Sequence, residues 1–175
     1  KGHNLGNLIL TALQDMSGST VKTLDIASKI FRLKGSVIPV TTKDIQLFIR
    51  YEDGSVEIGE KMLDEKKGGI RIVEMKTKPR ARVYRKAAEA IEKASFIIIG
   101  PGDLYASIMS NLVIEGVDKS IRRSKAKIVF IMNLMAKYTQ TYGMSAKDHL
   151  TIIEKIIKKK VDYILINTEN IPKNI

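Results

Sequence analysis

The stretch Phe96-Ile97-Ile98-Ile99-Gly100-Pro101-Gly102-Asp103-Leu104-Tyr105-Ala106-Ser107 decides how the rest of the chain is read. Four apolar residues in a row, three of them β-branched, predict a strand buried on both faces. Gly100-Pro101-Gly102 ends it: glycine opens backbone conformations closed to other residues, and proline fixes φ and donates no N–H. Asp103 then stands as the N-cap of a helix whose apolar positions are Leu104, Ile108 and Leu112. A buried strand, a glycine turn and a helix start bring N–H groups and a helix dipole to one point, where an anion is stabilised. In open α/β sheets ligands gather at such strand ends. The spacing fits an ordinary strand-to-helix turn equally well.

Downstream, Lys127 to Asn133 and Val161 to Asn167 read as two further buried strands. Between them, Ser145-Ala146-Lys147-Asp148 is a capping sequence for a helix over 146–158, with Leu150, Ile153, Ile156 and Ile157 inward. Val117 to Ser124 predicts a short helix, and Leu134 to Gly143 a loop. Residues 96–167 therefore form a βαβαβ unit with parallel strands. The three strands end at Gly100, Asn133 and Asn167 on one edge of the sheet, a setting for a ligand.

Upstream, Leu5, Leu8, Ile9, Ala12, Leu13 and Met16 make the apolar stripe of a helix that Gly18 closes. A second helix, capped by Ser19 or Thr20, carries Leu24, Ala27, Ile30 and Phe31. Residues 36–76 read as an inserted, partly antiparallel β subdomain: an edge strand Ser36 to Val40, a strand Ile45 to Tyr51, and an Asp53-Gly54 hairpin. Strands Val56 to Glu60 and Ile70 to Met75 follow, flanking a charged loop from Lys61 to Gly69. Tyr84 to Ala94 is helical by composition. The fold class is α/β: a Rossmann-like, three-layer parallel sheet with a small inserted β subdomain, in a single domain over 1–175.

The bulk numbers limit the function. The 175 residues suffice for one domain with a core, and 44% hydrophobic with 28% charged residues is a globular composition. No cysteine is present, which excludes disulfides, thiolate metal sites and a cysteine nucleophile, and suits a reducing cytoplasm. No apolar run reaches bilayer-spanning length, so no membrane role is expected. The net charge of +11 is densest at Lys76 to Lys86, Lys119 to Lys127 and Lys158 to Lys160. With 6% aromatics and no tryptophan there is little material for base stacking, so a lysine-rich solvated surface is favoured over nucleic-acid binding.

At this point the residues resemble a known family. Gly-Pro-Gly-Asp-Leu-Tyr-Ala-Ser at 100–107, Asn111-Leu112, Lys125-Ala126-Lys127, Asn133-Leu134-Met135, Asp148-His149 and Asp162 to Asn167 resemble the CofD-like superfamily. So do Ile171-Pro172, Gly2-His3-Asn4-Leu5-Gly6-Asn7-Leu8 and Gly35-Ser36-Val37-Ile38-Pro39-Val40-Thr41. The Asn-Leu-Met and Leu-Tyr forms are closer to its YvcK-type branch, the gluconeogenesis factors. The resemblance covers nearly the whole chain in order. It implies a Rossmann-like fold binding a nucleotide diphosphate. One branch of the family transfers 2-phospho-L-lactate from a guanosine diphosphate conjugate to a deazaflavin precursor, chemistry in which Mg2+ would be the cofactor. The YvcK-type branch binds UDP-sugars, without an established reaction, and is linked to cell shape, wall synthesis and growth on gluconeogenic carbon. The family's opening Gly-Gly-Gly-Thr-Gly loop and Asp-Asp-Gly-Gly segment have no counterpart here. The chain is thus expected to be part of a longer protein, with an uncovered edge or face that a partner copy would fill. Where the family carries a glutamate after Asn-Leu-Met, this chain has Gln140.

The candidate ligand residues are Gly100, Pro101, Gly102, Asp103, Leu104, Tyr105 and Ser107, which would offer backbone groups and hydroxyls to a phosphate. Asn133 and Asn167 stand at strand ends, where an amide could read a base or ribose, and His3, Asn4 and Asn7 lie in a loop facing the same cleft. His149 is expected to pack or cap. Two histidines so far apart give no metal-ligand spacing, and neither a carboxylate pair nor a Ser-His-Asp arrangement is recognisable.

Overall fold

The computed structural model describes residues 4–59 and 69–169. They form a mixed α/β structure with two three-stranded sheets, one antiparallel and one parallel.

The chain enters as a helical hairpin, α1 (Leu5–Ser17) and α2 (Thr20–Ile30). Asn4 caps α1, its side chain accepting from the Gly6 N–H at 2.8 Å, and Gly18 closes it with φ +62°. The two helices share a polar knot, in which Thr23 Oγ1 meets Ser17 Oγ at 2.8 Å and donates to Gln14 Oε1 at 3.0 Å. The stripe expected on α1 stays on the surface, with no residue buried, while that of α2 is split: Ala27 is buried, but Ile30 and Phe31 are exposed. The segment 36–40 is not a strand. Pro39 has no N–H to offer a ladder, and the stretch is held through the Val40 carbonyl, which accepts from Tyr84 N at 2.7 Å.

The antiparallel sheet has the order β2 (Val56–Ile58), β1 (Gln46–Tyr51), β3 (Ile72–Lys78), with Phe48 opposite both Ile58 and Lys76. The Asp53-Gly54 turn forms as the sequence dictates, with Gly54 at φ +82° and Asp53 Oδ1 accepting from Ser55 N at 2.9 Å. Alternation along β1 turns Leu47, Ile49 and Tyr51 into the core. The charged loop expected over 61–69 lies almost wholly outside the described residues.

After α3 (Arg85–Lys93) comes the parallel sheet, β4 (Phe96–Ile99), β5 (Lys127–Ile131) and β6 (Tyr163–Leu165), with Ile98, Val129 and Tyr163 in one row. A π-helix, Leu104–Met109, follows β4 and runs into α4 (Ser110–Leu112) and α5 (Val117–Arg123). The stretch expected as a loop after β5 contains α6 (Tyr138–Thr141), and α7 (Ala146–Ile157) leads to β6. Ser145 and Asp148 complete a reciprocal capping box on α7. Ile99, Ile128 and Phe130 pack against Leu104, Ile108, Ile121, Ile153 and Ile157, and Ile49 and Tyr51 join the same core. Each such burial contributes roughly 1.5–3 kcal/mol.

The three-layer expectation needs correction. Ile99 is 6% exposed, but Phe96 and Ile98, on the opposite face of β4, are each 62% exposed. Tyr163 and Leu165 of β6 lie open as well. The π-helix, α4, α5 and α7 contribute to the core on one side. Among the described residues the other face of the sheet has no covering layer, so the strand is not buried on both faces.

Candidate functional site

Gly100 takes φ +88° directly after β4, a conformation glycine adopts without strain. A Cβ there would overlap the Ile131 carbonyl oxygen, so the turn lies against the backbone end of β5. A Cβ at Gly102 would stand 3.0 Å from that of Ser107. The two glycines let the chain double back tightly enough to bring Asp103 onto the strand ends.

Asp103 occupies the N-cap position but makes no side-chain capping bond. Its carboxylate receives Lys137 Nζ at 2.8 Å and Asn133 Nδ2 at 3.5 Å. Its carbonyl accepts from the N–H groups of Ser107 and Ile108, both at 3.0 Å. The Ala106 N–H donates to Gln140 Oε1 at 3.2 Å. Gln140 is buried; the amide at the family's glutamate position thus holds the first turn of the π-helix. The structure therefore gathers the glycine turn, Asp103, Asn133 and Lys137. Sequence reasoning missed Lys137. Its signal was faint, a lysine four residues beyond a strand-end asparagine.

The other expected residues separate. Leu104 is core. Tyr105 is also buried, and its ring lines a cleft of about 560 Å³ with Arg71, Gln140, Tyr142 and Asp148. Burial raises the Tyr105 hydroxyl pKa, with Arg71 acting in the opposite sense. Gly100, Pro101 and Ser107 instead line an open groove of about 480 Å³ with Ile38, Ile97 and Asn111. Asn167 is exposed at the same sheet edge, its Oδ1 accepting from Glu169 N at 3.1 Å. Asn4 and Asn7 are not in a loop: one is the cap of α1 and the other lies in its first turn, and both are exposed. His3 lies outside the described residues.

The space enclosed by Gly102, Asp103, Asn133, Lys137 and His149 is only about 10 Å³. That is at most room for a water, so a phosphate would have to approach the turn from its open side. His149 is buried, with Nδ1 2.9 Å from the Ser145 carbonyl. No cluster of three or more His, Cys, Asp or Glu suited to a metal occurs among the described residues. Among the described residues Asp103 is the one carboxylate at the turn, and it already holds Lys137, so these residues do not by themselves assemble an Mg2+ centre. Elsewhere, Asp162 ties β5 to β6, accepting from Ile128 N at 2.9 Å and Lys127 Nζ at 2.7 Å, contacts that lower its carboxyl pKa. No helix among the described residues is long and apolar enough to cross a membrane.

Comparison with known proteins adds identity to this geometry. A Thermotoga maritima relative is 40% identical over 168 residues, covering 96% of this chain and 53% of its own length. The Listeria innocua gluconeogenesis factor is 37% identical over 175 residues, covering 99% of this chain and 54% of its own. A crystal structure of a UPF0052 family member from Bacillus halodurans superposes with a TM-score of 0.91 at 34% identity, covering 99% of this chain and 56% of that one. The chain spans about half the length of these relatives. The family model for 2-phospho-L-lactate transferase CofD matches residues 1–175, and the chain belongs to the CofD family, among homologues named gluconeogenesis factor.

Proposed function

We propose that this chain carries part of the site for a nucleotide diphosphate, a UDP-sugar above all, in a regulator of the gluconeogenesis-factor type. One observation carries the reading: the glycine turn, Asn133 and Lys137 meet at the carboxyl edge of a parallel sheet. The adjoining groove of about 480 Å³ is on the scale of small-molecule sites. Lys137 is the cation that would leave Asp103 for a phosphate, and the turn's backbone would supply further donors. A role in carbon metabolism and cell-shape control belongs to the same proposal, as does work in the cytoplasm.

A transferase acting on a guanosine diphosphate conjugate is the second reading, favoured by the match to the transferase family model. Calorimetry of the full-length protein with UDP-N-acetylglucosamine and with GDP separates them. Tight UDP-sugar binding without turnover supports the regulator. Phospholactate transfer from the guanosine conjugate supports the enzyme. Gly102→Val, which presses on Ser107, is expected to abolish binding with the fold retained; unchanged affinity would refute the turn as the site.

A further inference from the structure

The opposite end of the parallel sheet holds a cleft that the reading above does not use. The helices after β4 and β5 run back against the strands, so Leu112 at the end of α4 and Lys158 after α7 both lie where the strands begin. There, α5 and the end of β3 enclose about 650 Å³. Its floor includes the buried Thr77, Ala81 and Ile114. Backbone pairing fixes that floor, with Val83 N donating to Glu115 O at 2.9 Å and Glu115 N donating to Ala81 O at 3.1 Å.

The lining carries Lys76, Lys78, Arg80, Lys119 and Lys158 against only two carboxylates, Glu115 and Asp118. Glu115 is shared by Arg80 at 3.0 Å and Arg82 at 3.6 Å. Asp118 is shared by Lys158 at 3.1 Å and Arg122 at 3.4 Å. Outside the lining, Glu74 is shared by Arg50 at 2.9 Å and Lys76 at 3.1 Å. Each acid thus serves two bases. Lys78 and Lys119, which also line the cleft, have no carboxylate partner among the described residues; Lys78 only stands over the Phe48 ring, 5.3 Å from its centre. Concave walls focus the field of such an excess, and arginine forks with mobile ammonium groups suit clustered phosphate oxygens. The volume suits a small molecule.

We propose that this cleft is a second binding site, distinct from the glycine turn though it shares Leu112 with the groove beside that turn, for a small molecule bearing clustered phosphates. Calorimetry of the full chain with inorganic tripolyphosphate, at low and at physiological ionic strength, tests it. Binding by the wild type is expected, weakened roughly tenfold or more by the double variant Lys78→Glu with Lys119→Glu. The control double Lys22→Glu with Lys34→Glu changes net charge equally on exposed sites away from the cleft and should weaken binding less than about twofold. Absence of wild-type binding, or equal losses in the two doubles, would overturn the proposal. So would loss of binding in Lys137→Ala with the cleft double unaffected, since that would place the anion at the turn.

Discussion

The two ends of the parallel sheet are built on opposite terms. At the carboxyl end the backbone dominates: a glycine turn lies against the carbonyl of Ile131, and one cation, Lys137, sits on one carboxylate, Asp103. At the amino end side-chain charge dominates, with Glu115 and Asp118 each divided between two bases. The first arrangement is specified by close approach, which a single Cβ can destroy. The second is specified by a sum of long-range terms, which tolerates shape changes but responds to salt and charge reversal. Two different recognition chemistries are thus proposed at the two ends of one sheet.

The comparison breaks most visibly at Gly100. Gly100→Val places a side chain on a φ of +88° and against a backbone oxygen, and about 3 kcal/mol or more of stability should be lost in urea unfolding. Tolerance of valine there would mean the turn is not shaped by backbone contact. Lys137→Ala should leave unfolding almost unchanged while UDP-N-acetylglucosamine affinity falls about tenfold, read by calorimetry. Gln140→Ala removes the acceptor of the Ala106 N–H and should cost about 1–2 kcal/mol, measured as a lower thermal midpoint.

The smallest effect is acidic. Burial disfavours ionisation of Asp118, but Lys158, the Lys119 N–H and Arg122 hold its carboxyl below the usual range, and Asp162 is likewise lowered by the Ile128 N–H and Lys127. A depressed folded-state pKa adds stability above the unfolded value near 4, and that stability fades as pH falls through the folded value. The thermal midpoint should therefore decline below about pH 4, and less steeply in Asp118→Asn.

Much of the frame was legible because it rests on local rules. The Asp53-Gly54 hairpin, the Gly18 cap, the Ser145 capping box and the order of the three parallel strands follow from turn chemistry and apolar runs. Burial was less legible. An apolar run such as Phe96 to Ile99 reports what a strand can bury, while what covers it depends on distant elements. The same holds for α1, whose stripe is as regular as any in the chain yet lies open. The site was half legible. Gly100 and Asn133 sit at strand ends that sequence can locate, whereas Lys137 reaches Asp103 across a separation of 34 residues. Tyr105, two residues beyond Asp103 in sequence, lines a different cleft from Gly100 and Ser107, a separation that depends on how the π-helix packs rather than on the local sequence.

The sheet face that the described residues leave uncovered gives the lysine surplus a second consequence. Phe96, Ile98, Tyr163 and Leu165 form a greasy plate on a molecule of net charge +11 and pI near 9.7. Mutual repulsion keeps such plates apart, so the chain's colloidal stability rests on its cations as much as on its core. Salt that screens the repulsion, or a pH near the isoelectric point, is expected to raise self-association of this chain, read by light scattering.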